Sequence, residues 1–337
     1  MKNLRKIINR FNKARILVVG DLILDEYTWG SVERISPEAP VPVVWAKKRT
    51  YVPGGAANVA NNLRSFAARV SLAGVVGHDH NRDIMLPLLR KKGIDVKAVF
   101  TENGRHTTLK SRIFARHQQV VRVDWEHVHP INKASQARLL DFIHKDLKNF
   151  DAVVIEDYGK GIFDGTFLDL ILQEARRKNK IVTVDPKEDN FEQYYGVTAI
   201  TPNRKEAENA IRYLKMRDTQ NQFRVYKDGL LTNKDMKNAG YEILRHLDLE
   251  CLLLTLGEAG MWLFQKGGQD HLIPTVAQEV FDVSGAGDTV IATFTLALAC
   301  GSTRLEAAHL ANYAAGIVVG KVGTAVTDRK ELLERIK

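Results

Sequence analysis

Glu279-Val-Phe-Asp-Val-Ser-Gly-Ala-Gly-Asp288 runs directly into Thr289-Val-Ile-Ala-Thr-Phe-Thr-Leu-Ala-Leu-Ala299. The first part is short-sided and glycine-rich, the second an apolar run of helical length. Gly285, Ala286 and Gly287 therefore stand where a loop becomes the first turn of a helix. Backbone N–H groups at such a start lack intrahelical partners, and the helix dipole adds partial positive charge. Small side chains let an anion approach that backbone closely. Asp288 sits at the edge of the same cradle, an awkward place for a carboxylate unless it works on an incoming nucleophile. Phosphoryl transfer has that need: one residue takes the proton of the attacking hydroxyl while N–H donors neutralise the transferred group. Read alone, the same residues also describe a plain helix start with an N-terminal charge.

A second segment, Pro53-Gly-Gly-Ala-Ala-Asn58-Val-Ala, changes that balance. Asp282 to Asp288 with its apolar helix resembles the C-terminal signature of the ribokinase family of carbohydrate kinases. The second segment resembles the family's N-terminal signature, in the family's order and at a similar separation. The resemblance implies a three-layer α/β/α sandwich with a mostly parallel central sheet and a small β-sheet lid. It further implies ATP and Mg²⁺ as cofactors and a homodimer pairing through the lid, and it leaves dependence on a monovalent cation open.

A chain of 337 residues with 45% hydrophobic and 26% charged content is long enough to bury a sizeable core, and we expect one kinase domain over 1–337. The net charge of +9 comes from dispersed Lys and Arg, without zinc-finger spacing or an RNP-type aromatic motif. It fits an enzyme that handles phosphorylated small molecules, with no nucleic-acid partner. Cys251 and Cys300 lie in apolar segments and read as buried thiols of a reducing cytosol. No apolar stretch reaches membrane-spanning length, and the basic N-terminus lacks the apolar region of a secretory signal. A cytoplasmic protein without a membrane partner is the expectation. Leu4, Ile7, Ile8 and Phe11 share one face of an N-terminal helix packed on the domain.

Along the chain, Arg15-Ile-Leu-Val-Val-Gly-Asp21 reads as a buried first strand, and Val70–Val76 as a second. A helix runs through Asn58 to Phe66, and another from His80 to Lys92, closed by Gly93. Helix and strand then alternate: a helix to Lys148, a strand at Ala152–Ile155, a helix at Asp164–Lys178, and strands at Ile181–Val184 and Val197–Thr201. Helices fill much of Arg204 to His246. A strand at Cys251–Thr255, a β pair around Gly267-Gly268 and two C-terminal helices complete the order. Such alternation implies a parallel sheet covered on both faces. The proline-punctuated stretch of about 29–50 and the alternating one of about 106–126 break the rhythm, and together they read as the lid.

The remaining candidate residues follow from these placements. Gly54 and Gly55 permit close approach of a ligand, and Asn58 can donate to and accept from sugar hydroxyls, or simply cap a helix. Asp25 stands where the family carries an acid gripping sugar hydroxyls; Asp21 reads as structural. Asp157 and Lys160, in Glu156-Asp-Tyr-Gly-Lys-Gly161 at a strand's C-terminal end, are candidates for substrate contact. Lys187, ending Asp185-Pro-Lys187, is a candidate for nucleotide phosphate. Thr201-Pro-Asn203-Arg204-Lys205-Glu206 resembles the family's Asn-x-x-Glu motif, which implies nucleotide contact and a Glu206 that organises water around Mg²⁺. A capping box has the same spacing. Leu254-Thr255-Leu-Gly257 resembles the family's nucleotide segment. Gly316-Ile-Val-Val-Gly320-Lys321 is one residue short of a Walker motif and has Val322 where Ser or Thr is needed, so it reads as helix packing.

Arg34 to Val44, Arg116-His-Gln-Gln-Val-Val-Arg122-Val-Asp124, Asp157–Gly161 and Thr324 resemble the bacterial D-glycero-β-D-manno-heptose 7-phosphate kinases. Those kinases phosphorylate the anomeric hydroxyl on the way to ADP-heptose for lipopolysaccharide core. Kinases of fructose or tagatose phosphates, and a non-catalytic sugar-phosphate sensor, are the alternatives. Arg34, Lys110, Arg112, Arg116 and Arg122 are candidate partners for the substrate's own phosphate, with Arg116 placed foremost. Many relatives carry a fused nucleotidyltransferase domain. The chain ends at Lys337 without a His-x-Gly-His, so a separate protein is expected to supply that step.

Overall fold

Successive side chains of a strand point to opposite faces, and Arg15–Gly20 (β1) shows the consequence: Ile16 and Val18 enter one apolar core, Leu17 and Val19 the other. The computed structural model describes residues 2–116, 118–218, 223, 225, 229–277 and 279–336. Around β1 lies a nine-stranded sheet with the order β13-β12-β11-β10-β9-β8-β1-β4-β5. Its parallel members besides β1 are Arg69–Gly77 (β4), Asp95–Glu102 (β5), Ala152–Glu156 (β8), Ile181–Asp185 (β9), Ala199–Ile200 (β10) and Cys251–Thr255 (β11). Met261–Gln265 (β12) and Gln269–Ile273 (β13) add an antiparallel edge.

One core lies under Ala56–Ser65 (α2), Ala286–Ala299 (α8) and Arg304–Val318 (α9); the other lies under Lys133–Asp146 (α4), Gly165–Arg177 (α5), Arg204–Arg217 (α6) and Asn233–His246 (α7). This is the α/β/α sandwich expected from the alternation. Every residue from Asp288 to Leu298 is buried, which makes α8 a central helix rather than an amphipathic surface one. From Asp288 on it is enclosed, which fixes its N-terminus at the C-terminal edge of the sheet. Leu4, Ile7, Ile8 and Phe11 are buried against the same core. Among the described residues no helix is long and apolar enough to cross a membrane.

A second sheet, ordered β3-β2-β6-β7, forms the lid. It comprises Leu22–Ile35 (β2), Pro42–Gly55 (β3), Thr108–Ala115 (β6) and Gln118–Trp125 (β7). The first two strands begin earlier and end later than the 29–50 read from the prolines, because they pair from Leu22↔Gly55 out to Ile35↔Pro42, with irregularities at Trp29/Gly30 and Val32/Arg34. Three other expectations need correction. The strand β5 was not foreseen, and Arg329–Arg335 forms a third C-terminal helix. The glycines before Asn58 end a lid strand: α2 starts at Ala56 with Gly55 as its N-cap, so Asn58 lies inside the helix and does not cap it. Gly316 does pack as a helix glycine, since a Cβ there would come within 2.9 Å of Val276.

Candidate functional site

Gly285 is the N-cap of α8 and adopts φ 78°, a left-handed conformation open to glycine at little cost. The turn aims the first N–H groups of the helix into a cleft. Gly285 to Gly287 are half-buried or exposed, and Ala286 and Gly287 line a cavity of about 730 Å³. The expectation of three free amides needs one correction: the Ala286 N–H donates to the Val283 carbonyl at 3.2 Å. Among the described residues the N–H groups of Gly285 and Gly287 meet no acceptor. A Cβ on Gly287 would meet nothing within 4 Å, so the side-chain side of that residue is open.

Asp288, in the first turn of α8, is 5% exposed. Its Oδ2 accepts a hydrogen bond from Asn58 Nδ2 (2.5 Å) and its Oδ1 one from the Tyr158 hydroxyl (3.1 Å). Asn58 is itself steadied from behind, where Asn62 Nδ2 donates to its carbonyl (3.0 Å) and Thr289 Oγ1 donates to Asn62 Oδ1 (2.8 Å). Burial raises the Asp288 carboxyl to about 6, against the lowering effect of those two donors. A carboxyl in that range is ionised at neutral pH yet basic enough to take a proton.

Asp25 is buried in β2 and accepts from Arg112 Nη1 on β6 (2.5 Å), while that guanidinium also lies over the Tyr27 ring at 5.4 Å. Its negative charge contributes to the raised Asp288 carboxyl, so the two acids share one neighbourhood. Gly54 lies against it: a Cβ there would fall 2.4 Å from Asp25 Oδ2. Tyr27 ties the lid to the loop beside Gly285 through a 2.8 Å hydroxyl pair with Thr324.

On the opposite side, Asn203, Thr255 and Gly257 line the same cavity as Ala286 and Gly287, with Val280, Val283 and Val290 supplying apolar wall. Asn203 and Glu206 form a reciprocal capping box at the start of α6: Glu206 N–H donates to Asn203 Oδ1 (2.9 Å), and Asn203 N–H to Glu206 Oε2 (2.8 Å). The spacing forms the capping box, and Asn203, its N-cap, lines the cavity. Arg204 and Lys205 instead pair with Glu208 along the helix (3.5 and 4.0 Å) and do not line the cavity. Lys187 pairs with Glu188 (3.1 Å), lies against Gly159 and is close enough to Glu206 to affect its titration.

Of three candidate substrate contacts, two already have protein partners and one stands away from Asp25. The Asp157 carboxylate is occupied by the Gly159 N–H (2.9 Å), Asn190 Nδ2 (2.7 Å) and the Tyr194 hydroxyl (2.7 Å), so it holds the loop together. Lys160 pairs with Glu126 at the base of the lid (2.7 Å). Arg116 stands at the tip of the β6–β7 hairpin. It is six residues beyond Lys110, the partner of Asp25 in the sheet, or about 20 Å along the strand. His117 of the same motif lies outside the described residues.

Beneath the amides is a cluster that the sequence reading did not single out. One carboxylate oxygen each of Glu156, Asp185 and Asp288 lie within 4.8 Å of one another. Glu156 is fully buried, and among the described residues neither of its oxygens has a hydrogen-bond partner. Burial, with the neighbouring acids adding to it, drives the Glu156 and Asp185 carboxyls well above their usual range. Orphaned oxygens in an all-oxygen donor set suit Mg²⁺, which favours carboxylates and retained waters. Glu206, raised chiefly by burial, lies close enough to raise both. Position at the strand ends was the available signal for Glu156 and Asp185.

With this geometry in view, the pfkB family carbohydrate kinase model matches residues 13–331. The bifunctional protein HldE of Geobacter metallireducens is 43% identical over 332 residues, covering 98% of this chain and 65% of that protein. The protein of the same name from Wolinella succinogenes is 41% identical over 330 residues, covering 97% and 66%. The chain thus spans about two thirds of the length of these curated relatives. Among solved structures, Arabidopsis thaliana ribokinase complexed with ribose and ATP superposes with a TM-score of 0.73 at 18% identity, covering 96% of this chain and 99% of that one. Escherichia coli phosphofructokinase-2 in complex with substrates and products gives 0.75 at 16% identity, covering 95% and 97%. At such identities these two likenesses speak for the fold.

Proposed function

The chain belongs to the pfkB family of carbohydrate kinases, and we propose that it transfers the γ-phosphoryl group of ATP to the anomeric hydroxyl of D-glycero-β-D-manno-heptose 7-phosphate, giving the 1,7-bisphosphate. One observation supports the chemistry above all others: a buried carboxylate fixed by two donors stands beside two unpaired backbone N–H groups at the mouth of a nucleotide-sized cavity. In this reading the cavity between Thr255, Gly257 and α9 takes the nucleotide, while Asp25 and Asn58 face the sugar. Asp288 accepts the proton of the attacking hydroxyl as its oxygen bonds to the γ-phosphorus, while the bond from that phosphorus to the β–γ bridging oxygen breaks and ADP leaves. The Gly285 and Gly287 amides neutralise charge on the transferred group, which in phosphoryl transfer is most of what a protein contributes.

Glu156, Asp185 and, through water, Glu206 are the residues that would hold Mg²⁺, and a bound Mg²⁺ supplies charge neutralisation on the nucleotide phosphates. Lys187 adds a cation on the same side. For the substrate's own phosphate we favour Arg112, because it reaches Asp25 where Arg116 does not. The exposed edge strand β7, carrying Val120, Val121, Val123 and Trp125, supports the lid as the homodimer surface. The heptose assignment rests on the motifs of the lid and of the Asp157 loop. ADP release with a panel of sugar phosphates tests it. Preference for fructose or tagatose phosphate would overturn the heptose, and no turnover with any sugar phosphate would overturn the kinase.

A further inference from the structure

Tyr158 lies two residues past β8, in a loop whose shape is set by an acid the chemistry above does not use. The buried Asp21 carboxylate, between β1 and β2, accepts the N–H groups of Tyr158 (2.9 Å), Lys160 (3.0 Å) and Ile162 (3.3 Å). Glycines with positive φ at 159 and 161 let the chain curl around it, and a Cβ on Gly161 would strike the His129 carbonyl at 2.1 Å. The backbone of Tyr158 is therefore held from one side while its hydroxyl reaches Asp288 from the other.

We infer that Tyr158 is a positioning residue for Asp288, and that Asp21 is the anchor that sets Tyr158. The inference rests on the reading of Asp288 as the base. Each oxygen of the Asp288 carboxylate receives one donor, Asn58 on Oδ2 and Tyr158 on Oδ1. Two donors on two oxygens fix the rotation of the carboxylate plane, which a single donor cannot do. Each oxygen keeps a further lone pair, so the carboxylate so held can still take the proton of the attacking hydroxyl. The partner residue lies 130 positions away in sequence, which is why the contact appears only in the fold.

Positioning of this kind shows in turnover. Tyr158→Phe removes one oxygen and keeps the ring, and kcat should fall about 10- to 100-fold with KM for both substrates within about twofold. The decisive measurement is a cycle with Asp288→Asn, followed by single-turnover transfer from radiolabelled ATP so that slow variants remain measurable. If Tyr158 acts through Asp288, then Tyr158→Phe costs less than about twofold in the Asp288→Asn background. An equal loss in both backgrounds, or a kcat unchanged by Tyr158→Phe alone, overturns the inference. Should the phenylalanine variant misfold, Asp21→Asn, which loosens the same loop, enters the cycle in its place with the same expected non-additivity. An Asp288→Asn enzyme of nearly normal turnover would instead defeat the base assignment itself, so the two failures are distinct.

Discussion

Adding one methyl group at Gly54 should disable the sugar site while sparing the nucleotide site. The residue sits in an extended lid strand without positive φ, so alanine is sterically the only insult. Its Cβ would lie 2.4 Å from Asp25 Oδ2, 3.0 Å from Asp25 Cγ and 3.2 Å from Ile23 Cγ2. Ordinary contact begins near 3.4 Å, so the carboxylate has to retreat by 3.4 − 2.4, or 1.0 Å. It is buried and bonded to Arg112, and no unstrained retreat keeps both that pair and a substrate hydroxyl in reach. Losing one hydrogen bond to a charged acceptor costs about 1.5–3 kcal/mol, which is about 10- to 150-fold in kcat/KM for the sugar phosphate. Overpacking adds about 1–3 kcal/mol of destabilisation at the lid base, visible as a lower melting temperature. ATP binding measured calorimetrically without sugar should be unchanged, since Gly54 does not line that cavity. A folded Gly54→Ala enzyme with sugar-phosphate kcat/KM within about twofold of the parent would refute the role given to Asp25.

Three further outcomes are expected. Asp288→Asn should lower kcat by about 100-fold or more with nucleotide affinity retained, read by ADP release and by titration with an ATP analogue. Because burial sets the Asp288 carboxyl at about 6 and the base works only when ionised, kcat/KM should drop about tenfold per pH unit below that value; a flat profile down to pH 5 would contradict it. Without Mg²⁺, the folded protein holds protons on Glu156 and Asp185 to higher pH than the unfolded chain, which releases them near pH 4.5 and 3.8. Stability is therefore lost as pH rises through the folded-state values. Glu156→Gln should accordingly raise the melting temperature of the metal-free protein, more at pH 8 than at pH 5, and an equal or smaller gain at pH 8 would count against that account.

The sandwich was legible because burial on both faces of a parallel sheet leaves continuous apolar runs, as in β1, β8 and β11. The strand β5 was not, since Asp95-Val-Lys-Ala-Val-Phe-Thr-Glu102 mixes charges into a sheet edge and has no run to detect. Gly285 and Asp288 announced themselves through local chemistry: a helix start needs no distant partner to be recognised. Asp157 reads from the sequence as an available loop acid at a strand end, and the hydrogen bonds it accepts from Tyr194 and Asn190, more than thirty residues on, are visible only in the fold. Glu156 was hidden by the opposite effect, a carboxylate that looks like the end of a strand until Asp185 and Asp288 are brought beneath it.

No slack separates the lid from the body. One residue, Asp21, links β1 to β2, β3 passes directly into α2, and the Ala56 N–H donates to the Asp21 carbonyl where the two junctions meet (3.0 Å). The pair of 14-residue strands is thus a lever about 45 Å long pivoting on that fulcrum. A tilt of about 5° would sweep its tip through about 4 Å but carry Asp25, four residues out, through only about 1 Å. Torque applied far out on the sheet arrives at Asp25 as a fine adjustment, and at Asn58 with the helix it belongs to.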